Sequence, residues 1–402
     1  MYFRSALLAS FIATSVAQSD QLATIAQALN ASGLTGFSGL LPTLNSSTTG
    51  QALFQELLGG GNFSLFIPNN DALAAVPQSV ASDGETLAKI VSYHVLQGNF
   101  TSGGSLTSAT LPNVTIGRTA LNDSQFVQLE GNKSQVLVWG KNSEGRVQFL
   151  NQPNTTTVQS ESQVGGFGIY PINHVLTPPS AFSQAVTGNN VNFSVNALLG
   201  ILNSTQFTLP NGQNQTFTEY LDSDAVRGFT FFAPNDAAIQ AAASTLQTLG
   251  SNATALQIVL GNHIINGTTL YSTTLENSTS AAGEPLNFLT NSSGTFVSSG
   301  NVASAQIVNT NVLLKNGVVH IIDRVLANTE SNPEAASSAA SGAAETATRT
   351  SSESGPLQTS PGSGGNGSEG GGSNGNSGAL SVVVRKEMLG AIVGMIILGA
   401  CL

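Results

Sequence analysis

The chain contains 402 residues, of which 40% are hydrophobic and only 8% are charged, and its formal net charge is −10. This length exceeds what one hydrophobic core usually fills, so two domains are expected. The acidic balance and the lack of a basic block argue against a nucleic-acid-binding surface. With so few charges, solubility must come from Ser, Thr, Asn and Gly residues or from attached sugar.

The start of the chain has the pattern of a secretory signal peptide. Arg4 precedes an apolar run over Ala6–Ala13, and small residues follow at Ser15-Val16-Ala17. The pattern predicts a signal peptide over residues 1–17, cleaved before Gln18, and therefore a secreted chain.

The next segment combines helices at its front with strands at its back. Apolar periodicity predicts, in chain order, helices near residues 22–29, 53–58, 71–76 and 87–96, strands at Phe63–Ile67 and within 105–149, and a closing strand at Gly168–Leu176. Pro68 ends the first strand, because proline lacks the N–H that a strand ladder needs. This order predicts an α+β domain rather than a parallel βαβ sheet.

The second half repeats this order. The predicted elements are helices near residues 195–202, 217–221, 236–243 and 256–260, strands at Phe229–Phe232, 286–289, 295–298, 305–308 and 312–314, and a closing strand at Gly317–Leu326. Phe229–Ala238 restates Phe63–Ala72: an aromatic run, a proline, then Asn and Asp leading into an Ala-rich segment. A repeat at this separation favours two copies of a domain over a solenoid.

All four histidines of the chain are predicted to occupy two recurring positions: His94 and His263 after the prolines Pro68 and Pro234, and His174 and His320 in the closing strands. The proline-to-histidine spacings are similar, 26 and 29 positions, but the histidine-to-histidine spacings are 80 and 57. The first copy is therefore expected to carry an insertion of about two dozen residues within Gly117–Gly165.

Residues 328–378 contain Ser, Gly, Ala, Thr, Glu and Asn with almost no large apolar side chain, so a disordered stalk is predicted there. N-glycosylation sequons, each a surface marker in a secreted chain, occur throughout both halves and in the stalk. The candidate asparagines are Asn30, Asn45, Asn62, Asn99, Asn113, Asn122, Asn132, Asn154, Asn192, Asn203, Asn214, Asn252, Asn266, Asn277, Asn291 and Asn366.

Residues 379–402 end in an uncharged apolar tail that is too short for a comfortable membrane span of about 20 residues. Small residues, a spacer and such a tail predict a glycosylphosphatidylinositol (GPI) anchor signal, with attachment at Asn376 or at the neighbouring Ser377 or Gly378. The alternative is a tail-anchored helix, which the signal peptide disfavours. Cys401, the only cysteine, lies in the part that would be removed, so no disulfide and no thiolate site is expected.

The repeated joint resembles the first motif of the fasciclin domain family, which is found in secreted and surface adhesion proteins. That motif is an apolar strand followed by Ala-Pro-Thr-Asp-x-Ala-Phe. Phe232–Ile239 resembles it closely, with Asp236 at the family's Asp. The first copy, Phe66–Leu73, has Asn70 at that position and shifts the acid to Asp71.

Two further motifs resemble the same family in the same order. The central Tyr-His motif is Tyr93-His94 in the first copy, whereas the second copy has Asn262-His263 and has lost the tyrosine. The closing motif resembles Ile172–Leu176 and Val319–Leu326. Each motif alone is weak, but three motifs in order, twice, make the resemblance strong.

The resemblance covers about residues 19–327 and implies an α+β fold of two tandem fasciclin-like domains, 18–179 and 180–327. Each would be a β-sandwich wedge packed with several short helices. The implied role is cell adhesion or attachment to the cell wall or extracellular matrix. Its partners would be wall or matrix components or surface proteins of other cells, with the plasma membrane reached through the lipid anchor, and no cofactor is implied.

The resemblance makes Tyr93, His94 and His263 candidate adhesion residues, because the Tyr-His region of some family members is an adhesion epitope. The alternative is that each histidine is partly buried and bonds backbone groups that hold a helix to the sheet. His174 and His320 lie on apolar closing strands and are predicted to be core histidines with satisfied hydrogen bonds.

Asn70, Asp71 and Asp236 are predicted to cap helices rather than to act as catalytic or metal-binding acids. Trp139, the only tryptophan, is predicted to be a buried hairpin residue, with stacking on a sugar as the alternative. A His-Glu-x-x-His motif does not occur and no metal-ligating cluster stands out, so an enzyme is not expected.

Two other functions stay open at this stage. One is a surface module that binds a small lipid or carbohydrate in a groove between helices and sheet. The other, more distant, is a wall-remodelling hydrolase that uses a pair of the scattered acids, such as Glu130, Glu144 or Glu161.

Overall fold

A computed structural model describes the chain over residues 23–98, 100–102, 105–164, 166–187, 193–208, 213–348 and 355–357. Several predicted features lie outside these ranges: the signal peptide, the anchor signal with Asn376, Ser377 and Gly378, and the sequon residues Asn99, Asn192 and Asn366. Among the residues inside them, no helix is both long enough and apolar enough to cross a bilayer.

The described residues form two compact units that mix helices and sheets, which confirms the α+β fold class. The first unit takes most of the chain up to Ser194, and the second begins at Val195. The short segment Asn311–Val318 groups with the first unit.

The first unit begins with helices and ends with strands. Its helices are α1 (23–31), α2 (Thr35–Asn45), α3 (Thr48–Leu58), α4 (Asn70–Ala74), α5 (Gln78–Ala81), α6 (Gly84–Tyr93) and α7 (Phe182–Ala185). Its strands are β1 (Phe63–Pro68), β2 (Val95–Gln97), β3 (Thr101–Ser102), β4 (Ser105–Leu106), β5 (Thr115–Arg118), β6 (Val136–Lys141), β7 (Val147–Phe149), β8 (Thr156–Thr157), β9 (Ser162–Val164) and β10 (Phe167–Ile172), with a 3-10 turn at Glu130–Asn132.

Two four-stranded sheets organise this unit, in the orders β2-β1-β10-β9 and β5-β6-β7-β8. β1 runs parallel to β10, with Pro68 opposite Ile172, and both outer strands of that sheet are antiparallel to their neighbours. Every residue of β1 is buried, as its unbroken apolar run predicts for a strand that is covered on both faces. Apolar side chains of α2, α3 and α6 cover one face, and an aromatic cluster around Phe66 and Trp139 covers the other.

The second unit repeats the plan with a larger sheet. Its helices are α8 (Asn196–Ser204), α9 (Phe217–Asp222), α10 (Asp236–Ala241), α11 (Ala243–Gly250), α12 (Ala253–Gly261) and α13 (Pro333–Ala347). Its strands are β11 (Gln206–Thr208), β12 (Asn214–Thr216), β13 (Phe229–Pro234), β14 (Ile264–Asn266), β15 (Ser278–Thr279), β16 (Pro285–Asn291), β17 (Gly294–Ser299), β18 (Ala305–Leu314) and β19 (Gly317–Ile322). The main sheet has the order β14-β13-β19-β18-β17-β16-β15.

Helix α13 corrects the predicted stalk, because it forms inside the segment expected to be disordered. Asn332 caps it by accepting a hydrogen bond from the Ala335 amide at 3.0 Å, and Ala336 and Ala340 are buried. The chain comes close at Gly283, where an added Cβ would lie 1.8 Å from the Asn332 oxygen. Small residues thus pack this helix, so the lack of large apolar side chains in this segment does not prevent it from folding.

Candidate functional site

The strand-to-helix joint, where the duplication is clearest, has the same geometry in both units. Asn69 accepts a hydrogen bond through Oδ1 from the Ala72 amide at 2.8 Å. Asn235 accepts one from the Ala238 amide at the same distance. The cap of α4 and of α10 is therefore the first residue after the proline, one position earlier than predicted.

The residue after each cap holds a different, earlier helix. Asn70 Oδ1 accepts from the Gly36 amide at 2.9 Å at the start of α2, and Asp236 Oδ1 accepts from the Ala197 amide at 2.8 Å at the start of α8. Neither α2 nor α8 has a side-chain cap of its own. Asn70 and Asp236 therefore cap helices, but across the fold, whereas Asp71 lies in the first turn of α4.

His94 clamps a helix to the closing segment of the first unit. Its Nδ1 donates to the Ile90 oxygen on α6 at 2.9 Å, and its Nε2 accepts from the Leu176 amide at 2.9 Å. An amide can only donate, so the ring is the neutral tautomer with its proton on Nδ1. Burial lowers the pKa of His94 to about 4, against a smaller opposite effect of the Ile90 carbonyl.

His263 repeats this clamp in the second unit. Its Nδ1 donates to the Val259 oxygen at 2.7 Å, and its Nε2 accepts from the Leu326 amide at 2.9 Å. Burial lowers the pKa of His263 to about 4 as well, partly offset by the Val259 carbonyl. Both imidazoles are thus neutral at neutral pH, with both nitrogens occupied by backbone groups.

The burial of these residues corrects the surface-contact interpretation. Tyr93 is 0% exposed, and His94 and His263 are each 2% exposed. A partner on the outside of either unit cannot reach these side chains in this state. Their geometry supports the alternative interpretation, in which the histidines hold a helix to the sheet.

The tyrosine of the first unit and the asparagine that replaces it are both buried and bonded. Tyr93 Oη donates to the Val136 oxygen at 3.1 Å. Asn262 Nδ2 donates to the Asn328 and Glu330 oxygens, each at 3.0 Å, and its Oδ1 accepts from the Ser280 hydroxyl at 2.7 Å. Asn262 therefore holds the backbone segment that leads into α13 by hydrogen bonds.

The histidines of the closing strands do not occupy equivalent positions. Ile172 accepts from the cap asparagine of the first unit and Ile322 from that of the second, so these two isoleucines correspond. Two positions before these isoleucines, Tyr170 corresponds to His320. Two positions after them, His174 corresponds to an arginine. The predicted pairing of His174 with His320 is therefore wrong.

His320 and His174 also differ in environment. His320 is 0% exposed, stacks on Phe232 with centroids 5.6 Å apart, and hydrogen-bonds the Leu270 oxygen through Nε2 at 2.9 Å. Burial lowers its pKa to about 4. His174 is only partly buried, and its Nδ1 makes no hydrogen bond within the described residues.

The corrected register also resizes the insertion of the first unit. From the clamp histidine to the leucine amide it binds is 82 positions in the first unit and 63 in the second, a difference of 19. The longer interval holds the sheet β5-β6-β7-β8. Trp139 lies on β6, is 0% exposed, and donates from Nε1 to the Thr107 oxygen at 3.0 Å, so it is not placed to stack on a sugar.

The scattered acids are engaged separately. Glu130 pairs with Lys133 at 3.1 Å, Glu144 pairs with Arg146 at 2.7 Å, and Glu161 accepts from the Leu106 amide at 3.3 Å. No group of three or more His, Cys, Asp or Glu side chains with metal-binding geometry occurs in the part of the chain that the structure describes.

The sequon asparagines mark the outside of both units. Every one that the structure describes is exposed, except Asn266, which is half-buried. Glycans on these residues would extend into solvent without disturbing either core.

The predicted groove between helices and sheet is a small cavity in each unit. In the first unit it has a volume of about 40 Å³ and only apolar lining residues, among them Phe37, Leu53 and Val91. In the second unit it has about 20 Å³. Ligand sites usually measure roughly 300–1,000 Å³, so neither cavity holds a lipid or a sugar in this state.

Comparison with known proteins gives a family match in two segments. The family described as Fasciclin domain matches residues 20–178 and 205–328, which together make up more than half of the chain. A fasciclin-like arabinogalactan protein of Arthroderma benhamiae is 26% identical over 248 residues, which cover 61% of this chain and 52% of that protein. The chain thus spans about half the length of this curated relative.

One solved structure that matches is a FAS1 domain pair from the insect cell adhesion molecule Fasciclin I. The match covers 74% of this chain and 97% of that chain, with 14% sequence identity and a TM-score of 0.32.

Proposed function

Because the chain belongs to the fasciclin domain family, we propose that it is a cell-surface glycoprotein that mediates adhesion or attachment to the cell wall or extracellular matrix. The observation that carries the proposal is the tandem family match. Two linked modules multiply weak contacts, because the second binds at the high effective concentration set by the first.

The surfaces of both units suit this role. Exposed sequon asparagines occur on each unit, and charged residues are few. A sparsely charged surface that carries sugar favours many weak polar contacts over one strong electrostatic contact. The relative from Arthroderma benhamiae is itself described as an arabinogalactan protein, and this description supports a surface glycoprotein.

The proposed location is the outer face of the plasma membrane or the cell wall, reached through the signal peptide and the GPI anchor. The signal patterns at the two ends of the sequence support it. Phosphatidylinositol-specific phospholipase C or a wall glucanase should release the protein from intact cells. If neither enzyme releases it, while a known GPI-anchored protein is released in the same preparation, the anchoring is wrong.

Deleting residues 20–328, with both end signals and the remaining segment kept, tests the adhesion role. Cells carrying this variant should attach less to wall or matrix surfaces than cells carrying the full chain at equal surface density. Deleting only one matched segment, 20–178 or 205–328, is the graded control and should leave an intermediate attachment. Unchanged attachment after the full deletion would rule out the adhesion role.

Of the other two functions, carbohydrate binding has an observation in its favour, namely a polar cavity in the first unit. Lipid binding has weaker support, because the apolar cavities are small. Turnover assays on wall polysaccharides would test a hydrolase, and we propose none.

A further inference from the structure

A polar cavity of about 100 Å³ lies at one end of the parallel strand pair in the first unit. Three glycines line it, Gly98, Gly166 and Gly168, together with Ser64 and Phe100. None of its lining residues is charged. Ser64 and Gly168 lie opposite each other on β1 and β10, so the cavity lies against the two central strands of this sheet near one end.

The hydroxyl of Tyr170 lies beside Ser64 and Gly168, two residues that line this cavity. Tyr170 is 1% exposed, and the Ser64 hydroxyl is near enough to act on its phenol, although no hydrogen bond of full geometry to its oxygen forms within the described residues. A Cβ added at Gly168 would lie 2.7 Å from that oxygen, so the hydroxyl lies over the glycine that lines the cavity. Burial raises the pKa of Tyr170, and the nearby Ser64 hydroxyl acts in the opposite direction. The phenol is thus protonated and able to donate.

The second unit has different residues at the corresponding positions. Val318 stands at the position of Gly168, and His320 at that of Tyr170. His320 bonds the Leu270 oxygen at 2.9 Å. Thr230, which replaces Ser64, donates to the Thr268 oxygen at 2.9 Å and accepts from the Leu270 amide at 2.8 Å. The hollow in the first unit is therefore bordered by residues that the second unit does not share.

The size and lining of the cavity limit which chemical groups it can bind. A cavity of about 150 Å³ takes benzene, which has six heavy atoms, so about 100 Å³ takes a group of roughly four. The lining excludes an ion, because it has no charge to pair one. The lining offers the Ser64 hydroxyl as donor or acceptor and Phe100 as an apolar wall, and the Tyr170 hydroxyl lies next to the lining residue Gly168. An acetamido group has four heavy atoms: a carbonyl, an N–H and a methyl carbon.

We propose that this cavity binds the acetamido group of an N-acetylhexosamine, with the Tyr170 hydroxyl donating to its carbonyl oxygen. The proposal rests on the surface-glycoprotein role, since a secreted chain meets such sugars. It supplies a ligand class that family membership does not.

Two sources can supply that sugar. Asn62 lines the cavity, is exposed, and begins the sequon Asn62-Phe63-Ser64. The first sugar of an N-linked glycan is N-acetylglucosamine, which carries an acetamido group close to the asparagine. The other source is a separate glycan or wall polysaccharide that contains N-acetylhexosamine.

The first arm of the test examines the glycan on Asn62 in the full chain, secreted from a host that makes high-mannose glycans. Glycopeptide mass spectrometry gives the occupancy of Asn62. Endoglycosidase H leaves the first sugar in place and should leave the melting temperature of the first unit unchanged. Asn62→Gln should lower it by about 2–4 °C, whereas Asn113→Gln, at an exposed sequon of the same unit, should not.

Variants that alter the cavity test whether the effect of Asn62→Gln depends on the cavity. Gly168→Val with Tyr170→His brings in the pair that the second unit has, and Tyr170→Phe removes only the hydroxyl. In both backgrounds the effect of Asn62→Gln should disappear, because the sugar has lost its site. If Asn62→Gln lowers the melting temperature by the full amount in both backgrounds, the exposed part of the glycan causes the effect. The glycan on Asn62 would then not be the source of the bound sugar.

The second arm titrates Asn62→Gln protein with N,N′-diacetylchitobiose, with cellobiose as the matched sugar lacking acetamido groups. A dissociation constant on the order of millimolar is expected for a group of this size. Gly168→Val with Tyr170→His should weaken binding at least tenfold, and cellobiose should not bind.

The inference is overturned if the first arm shows no effect specific to Asn62 and diacetylchitobiose does not bind, or if cellobiose binds equally well. The deletion test of adhesion is independent of these readouts. Loss of attachment on deletion with no sugar effect would leave the proposed function standing and remove only this inference.

Discussion

The two units share a clamp and differ in what surrounds it. His94 and His263 hold a helix to a closing segment with hydrogen bonds that agree within 0.2 Å. Beside the clamp, Tyr93 is replaced by Asn262, and in the closing strand Tyr170 is replaced by His320. The hydrogen bonds from the imidazole to the backbone are therefore common to both units, whereas the neighbouring buried residues differ between the units.

The variable positions serve different neighbours. In the first unit Tyr93 reaches β6, a strand within the longer interval of that unit. In the second unit Asn262 holds the backbone that leads into α13, and Ser280 completes its bonds. Each of these side chains thus bonds a segment of its own unit: β6 in the first unit and the backbone that leads into α13 in the second.

Replacing a clamp histidine by alanine should have the largest effect and should affect both units alike. His94→Ala or His263→Ala removes two hydrogen bonds, leaves a buried leucine amide unpaired and opens a cavity. The expected loss is about 3–5 kcal/mol of unfolding free energy in the affected unit. Denaturant unfolding of the full chain, with hydrogen exchange to assign each unit, measures it. A loss that differs by more than about 2 kcal/mol between units would break the shared-clamp comparison.

Acid should separate the two units. A folded-state pKa of about 4, against about 6.5 in the unfolded chain, means that folded histidines bind fewer protons between these values. The contribution of these histidines to the free energy of unfolding is fully present above pH 6.5. It falls as the pH drops toward 4, by up to about 3 kcal/mol for each histidine. The second unit has two such histidines, and the first has one. The second unit should therefore lose about twice as much unfolding free energy as the first.

Calorimetry at pH 7 and pH 5 measures this difference. His320→Phe is the matched control, because it keeps an aromatic ring against Phe232 and removes the titrating group. In that variant the two units should respond to acid equally. An unchanged, larger response of the second unit would show that other groups cause it.

Asn262→Ala should have the next largest effect, and only on the second unit. It leaves the Asn328 and Glu330 oxygens without their donor, at an expected cost of about 1–3 kcal/mol. Amides of α13 should exchange faster, because the backbone leading to this helix has lost its bond. Tyr93→Phe is the matched change in the first unit and should leave α13 exchange as it was. Equal exchange in both variants would contradict the role assigned to Asn262.

The caps across the fold should give the smallest effect. Asn70→Ala and Asp236→Ala should each cost about 0.5–2 kcal/mol. Of the two, only the cost of Asp236→Ala should shrink at high salt, because Asp236 places a charge at the N-terminus of α8 whereas Asn70 is uncharged. Denaturant unfolding with and without about 0.5 M salt tests this. Equal salt dependence of the two variants would mean that the charge adds nothing.

The sequence was sufficient for the order of elements and the family. Strand β1 was predicted because an aromatic run that ends at a proline restricts the backbone locally. Three motifs in order, twice, then placed the chain in the fasciclin domain family, which the match over 20–178 and 205–328 confirms. These features lie in local patterns, and local patterns can be read along the chain.

The candidate site was predicted less well, because its bonds join residues far apart in sequence. The histidine of the second closing strand was paired with His174 by residue type, whereas the sheet pairs it with Tyr170. Aligning the strands on their isoleucines, Ile172 and Ile322, would have found this. No local signal marks Asn70 as the cap of α2, 34 positions earlier.

The sequence by itself determined the duplication, the α+β class and the strand-to-helix joints, since each follows from periodicity and turn chemistry within a few residues. Only the tertiary structure decided that the Tyr-His site is buried, that Ala-rich residues form α13, and that a polar hollow lies at Gly168 and beside Tyr170, where the second unit has Val318 and His320. The physical reason is that burial and cavity volume depend on which side chains meet across the fold, and sequence neighbours do not specify those meetings.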